Sequence, residues 1–157
     1  MKASSPVSAM TTSARPATYD SDFYAWTQQQ AELLRQGRFV EVDLENVIEE
    51  IESLGRSERR SFVSAIYRLT QHLLKWQYQP EKRTPSWRAT IREQRRQVTL
   101  LLQDNPSFKA RIKEAMAGGY ADGRKQAADE TGLPLATFPE TCAYTWEQLT
   151  DEDWLPD

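Results

Sequence analysis

The stretch Ser57–Gln79, SERRSFVSAIYRLTQHLLKWQYQ, decides the fold. Phe62, Ile66, Leu69, Leu73 and Trp76 recur at spacings of four, three, four and three, which is the period of an amphipathic helix. A second apolar row, Val63, Tyr67, Leu74 and Tyr78, lies roughly a quarter to a third of a turn away. A helix with apolar side chains over so much of its circumference is covered by neighbours on two sides, so it sits at the centre of a helical fold.

Working outward from it, the N-terminal side predicts two shorter helices. Residues 22–36 follow Asp20 or Asp22 as a cap, turn Phe23, Trp26, Gln30, Leu33 and Leu34 inward, and end at Gly37, a left-handed stop. Residues 43–54 place Leu44, Val47, Ile48, Ile51 and Leu54 on one face, and Gly55 is expected to close that helix before Ser57 caps the central one. On the C-terminal side, the prolines of Pro80–Pro85 stop the central helix. Ser86 is expected to cap a fourth helix over 87–104, with Trp87, Ile91, Val98, Leu101 and Leu102 inward. Asn105-Pro106 opens a fifth that runs through Phe108, Ile112, Met116 and Tyr120 to the stop Thr131-Gly132-Leu133-Pro134. Gly118, Gly119 and Gly123 interrupt it and call for a kink, a break or a close helix–helix approach. The rest, from Leu135, reads as a mostly irregular tail with a capping box at Thr145–Gln148, pinned by Trp146 and Trp154.

These elements predict an all-α protein: a single-domain antiparallel bundle of about five helices over residues 19–157. The Ser/Thr/Ala/Pro-rich residues 1–18 read as disordered, without the apolar core of a secretory signal. Net charge is −3, and no apolar run approaches the ~18 residues of a membrane span, so neither polyanions nor lipid are favoured globally. The lone Cys142 rules out an internal disulfide and a cysteine-based zinc site, and accords with a cytoplasmic setting.

Charge is concentrated in two stretches. Glu41, Asp43, Glu45, Glu49, Glu50 and Glu52 occur between residues 41 and 54 without a Lys or Arg. Residues 82–96 carry Lys82, Arg83, Arg88, Arg92, Arg95 and Arg96 against Glu93. The first expectation is that the two stripes pair with each other across a helix contact. The alternatives are nucleic-acid contact by Arg83, Arg88, Arg92, Arg95 and Arg96, weak for an acidic chain, or metal binding by the glutamates, for which the Glu-x-x-His signature is missing because Leu69 precedes His72 by three. His72, the single histidine, is a weak catalytic candidate that would need Glu49, Glu52 or Glu93 to orient it. Trp76 and Trp87, with Arg83 and Arg88 around the proline turn, suit either a recognition surface or a packed turn with cation–π contacts. No cofactor is implied, and catalysis has no recognised motif to stand on.

The succession YDSDFYAWTQQQAELLRQGRF, VDLENVIEEIESLGRSERR, HLLKWQYQPEKR, SWRATIREQRRQV, DNPS, ETGLP and TFPETCAYTWEQL resembles the bacterial family called domain of unknown function twenty-nine, over Tyr19 to Pro156. The resemblance implies an all-helical domain of bacterial origin. It brings no established activity or catalytic residue. Ala143 departs from it where proline is expected. The function read from these features is a non-catalytic cytoplasmic interaction module with a protein partner, and self-association through Gly119 and Gly123 is an option. The alternatives are an antitoxin-like nucleic-acid-associated regulator, and a hydrolase or metal protein centred on His72.

Overall fold

The computed structural model describes residues 18–157, so the reading of residues 1–17 as disordered lies outside the described residues. Five α-helices follow in order: α1 Phe23–Arg35, α2 Leu44–Tyr78, α3 Pro85–Asp104, α4 Ile112–Thr131 and the short α5 Trp146–Thr150. No strand occurs among the described residues. The chain divides into two compact units, the described part of the first being 18–52 and the second Ser53–Asp157.

One boundary differs from expectation. Residues 43–54 and 57–79 do not form two helices but the single 35-residue α2. Gly55 sits in its interior with nothing within 4 Å of where a Cβ would stand, and Ser57 is an ordinary exposed helical residue rather than a cap. An exposed interior glycine costs a helix only about 1 kcal/mol, less than ending it and stranding four carbonyls and four N–H groups would.

In the first unit, Asp22 caps α1 by accepting from the Ala25 N–H at 3.0 Å. Gly37 takes φ +69° just beyond the helix, as its position predicts. α1 is fastened to the start of α2 by polar bonds: the Trp26 indole N–H donates to Asp43 Oδ2 at 3.1 Å, and Gln30 Oε1 accepts from the Asp43 N–H at 2.8 Å. Tyr19 stacks edge-on against Trp26 and donates to Glu50. Only Trp26, Gln30 and Leu33 of α1 are buried.

In the second unit, α2 is the central element predicted. Phe62, Ile66, Leu69, Leu73 and Leu74 are at most 1% exposed. α3 begins at Pro85 with Thr84, not Ser86, as its cap, accepting from the Trp87 N–H; proline at the first helical position takes the place the sequence reading gave to Trp87. The fifth expected helix begins later, because Pro106–Arg111 forms tight turns before α4 starts at Ile112. α4 does not break at its glycines. They allow a close approach instead: a Cβ on Gly119 would stand 2.8 Å from Ile66 Cγ2, and one on Gly123 would stand 2.8 Å from the Tyr67 carbonyl. α4 runs parallel to α2, since Ile66 meets Gly119, Lys75 meets Glu130 and Gln79 meets Thr131.

Replacing Gly123 with alanine should therefore cost about 1–3 kcal/mol through overpacking. Gly118→Ala and Gly55→Ala, with open space at both sites, should each be neutral or stabilise by up to about 1 kcal/mol. Urea denaturation of the three variants checks this ordering.

Candidate functional site

The residues offered by the sequence as site candidates fall into different surroundings. His72 is half-buried on α2, and its Nδ1 lies 2.9 Å from the Arg68 carbonyl of the preceding turn. Burial is the main cause holding its pKa below the ordinary value; the Arg68 carbonyl opposes that and the Lys75 charge adds to it. Glu93 lies on α3 and accepts from Arg96 and Gln97, bonds that pull its carboxyl down to about 2. That leaves an ionised carboxylate engaged by Arg96 and Gln97 of its own helix. Glu49 and Glu52 lie in the first unit, each with interactions of its own. Among the described residues no group of three or more His, Cys, Asp or Glu could hold a metal ion.

Besides Arg96, which pairs with Glu93 at 2.8 Å, the arginines of 83–96 meet different surroundings. Arg83 donates from Nε to the Trp76 carbonyl at 2.9 Å and lies 5.0 Å over the Trp76 ring. Arg88 lies over the same ring, 6.0 Å from its centroid. Arg92 stays exposed beside Glu152 and Asp153 of the tail. Arg95 is 2% exposed and donates to four backbone carbonyls of the tail: Leu149 at 2.9 Å, Gln148 at 3.1 Å, Glu152 at 3.3 Å and Trp154 at 2.7 Å. The expectation that this stripe pairs with the acidic stripe of residues 41–54 is corrected at Arg95, whose partners are carbonyls of the last turn of α5 and of the chain just beyond it. Trp87 takes the Lys75 ammonium 4.6 Å over its ring, and Lys75 also pairs with Glu130 at 2.6 Å. The Trp76–Trp87 turn is thus packed by cation–π contacts, and both indoles are half-buried.

What the sequence reading missed is the exposure of an apolar face. Leu44, Ile48 and Ile51 of the first unit, expected inward, are 61%, 47% and 63% exposed. Phe39 and Val40, in the turn before α2, are exposed with them. The signal was the row of acids beside that face: Glu45, Glu49 and Glu52 border it on α2. The first unit carries nine acids against two arginines over residues 18–52, a net −7, whereas the second carries sixteen Lys and Arg against fourteen acids, a net +2. In the second unit a groove of about 530 Å³ is lined by Arg56, Arg59, Arg60, Val63, Tyr67 and Asp122. Arg59 there pairs with Glu114 at 2.5 Å, both about half exposed.

The family described as "Domain of unknown function DUF29" matches residues 18–155, nearly all of the described chain. The chain belongs to this family. No curated protein and no solved structure matches it. The match covers α1, the exposed face of α2 and the tail held by Arg95. No helix among the described residues is long and apolar enough to cross a membrane.

Two outcomes test these assignments. Arg95→Met removes the donor from four tail carbonyls and should cost at least about 3 kcal/mol, with amide exchange accelerating first in residues 146–155. For His72, the folded pKa lies below the unfolded one, so the unfolded chain binds the extra proton and stability falls as pH drops below about 6.5. His72→Gln should flatten that slope between about pH 5 and 7, read from urea midpoints at each pH.

Proposed function

We propose that this DUF29 protein is a non-catalytic protein-interaction module acting in the cytoplasm. The observation that carries the reading is the exposed row Leu44, Ile48 and Ile51 on the first unit, beside an acidic border. Covering one isoleucine side chain stabilises by about 1.5–3 kcal/mol, and an apolar row with a charged rim is how helices anchor partners. Catalysis finds less support. The imidazole Nδ1 of His72 is taken up by its own helix, and the Glu93 carboxylate by Arg96 and Gln97. Nucleic-acid binding loses Arg95, which is buried on the tail, and Arg83 is bonded to the Trp76 carbonyl.

The test is affinity purification of the tagged protein from its host, with and without nuclease, beside an Ile48→Asp/Ile51→Asp variant. A stoichiometric partner that survives nuclease and disappears with the variant is the expected result. Both positions are exposed, so the variant should retain the wild-type thermal midpoint within a few degrees. A partner lost only to nuclease would favour the nucleic-acid reading instead.

A further inference from the structure

We infer that a groove between α2 and α3, wholly within the second unit, binds an extended acidic segment of a partner protein. The argument begins with how the arginines of that unit are used. Most are engaged: Arg59, Arg96 and Arg111 face carboxylates, Arg95 and Arg124 hold carbonyls of the tail, and Arg83 and Arg88 lie over Trp76. Arg60 and Arg68 of α2 are different. Both are exposed, and their guanidiniums make no ion pair, hydrogen bond or ring contact among the described residues. Both also line one groove of about 810 Å³.

The rest of the polar lining is short of partners in the same way. Ser57, Ser61 and Ser64 present hydroxyls without a hydrogen bond among the described residues, whereas Thr70, Thr90 and Thr99 on the same two helices bond carbonyls of their own helix. Gln94 brings an amide from α3 that is likewise without a side-chain bond among the described residues. The carboxylate in the lining, Glu93, has its oxygens engaged by Arg96 and Gln97, so Arg96 offsets its charge.

These groups select the ligand. Arg60 and Arg68 stand on one helix face, about 12 Å apart along its axis. Four residues of an extended chain span about 13 Å and return to the same face, so acids at every fourth position meet both guanidiniums. Between them the serine hydroxyls can donate to backbone carbonyls. The Gln94 amide, with donors and an acceptor, can pair with backbone C=O and N–H alike; a phosphate would leave its oxygen unused. Nucleic acid is favoured less, because no aromatic side chain lines the groove for a base to stack on, and two cations make few phosphate contacts.

The test is an amide NMR titration of the full chain with a synthetic Gly/Ser peptide carrying Glu at every fourth position, beside the same peptide with Gln in those places. The Glu peptide should shift amides of residues 57–68 and 93–97 with a Kd on the order of 0.1–1 mM, since exposed ion pairs contribute little each, and the Gln peptide should not. Arg60→Gln/Arg68→Gln should weaken binding by at least about tenfold. Arg92→Gln, an exposed arginine outside the groove, should change it by less than about twofold. All three positions are exposed, so the thermal midpoints should stay within a few degrees of the wild type. Equal weakening by Arg92→Gln would reveal a diffuse charge effect and overturn the proposal, as would shifts confined to other residues or no shifts at all. Inorganic phosphate or a single-stranded oligonucleotide that moves the same amides at lower concentration than the Glu peptide would overturn it in favour of that ligand. The apolar row of the first unit plays no part in this titration, so the two readings fail separately.

Discussion

Two helix backbones in the second unit lie almost in contact, and most of that unit hangs on this approach. At Gly119 and Gly123 a side chain on α4 would collide with Ile66, with the Tyr67 carbonyl and with Thr70. The Thr70 hydroxyl, fully buried, lies 2.9 Å from the Ile66 carbonyl, so the seam between the helices leaves no orphaned polar group. Because α4 sits this deep, Tyr120 and Ala127 enter the same cluster as Leu69, Leu73, Leu74 and Ile91. Ala115 reaches the second cluster around Phe62, Ile66 and Val98. Larger residues at the two glycines would lift α4 and open both clusters together.

The tail depends on α4 and α3 in turn. Tyr120 donates its hydroxyl to the Pro139 carbonyl at 2.7 Å, and Arg124 reaches the Phe138 carbonyl at 3.0 Å, which seats the first part of the tail on α4. Burial pushes the Tyr120 hydroxyl up to about 12, so it remains a donor at any physiological pH. The last part is seated by Arg95 on α3. An irregular segment pays for its lack of internal bonds by borrowing donors from helices, and a guanidinium with five N–H groups in one plane is suited to several carbonyls at once. Phe138, Tyr144 and Leu149 then fill the space between these two polar anchors.

Most of this was legible where a residue's role follows from local period or from a cap. The buried face of α2, the left-handed Gly37 and Gly132, and the capping box at Thr145 and Gln148 all stand where the sequence places them. Three matters were not legible, for different reasons. Gly55 carries the same stop signal as Gly37, and only its place within a longer helix tells them apart. Arg95 looks like one more member of a basic stripe until the tail is folded against it, because spacing reports the face of a helix and not what arrives there from 50 residues away. The row Leu44, Ile48 and Ile51 was read correctly as one face; periodicity shows that a face is apolar, not what covers it.

That last point bears on function more than the rest. His72 holds Nδ1 against the Arg68 carbonyl of its own helix and Glu93 accepts from Arg96 and Gln97, whereas the exposed row has no such cover. It stands out because the second unit buries most of its large apolar side chains, Leu54, Leu100 and Leu135 apart, while the first leaves Leu44, Ile48 and Ile51 in water. Glu45, Glu49 and Glu52 border the row in a unit of net −7, a field that favours positive over negative charge at its surface.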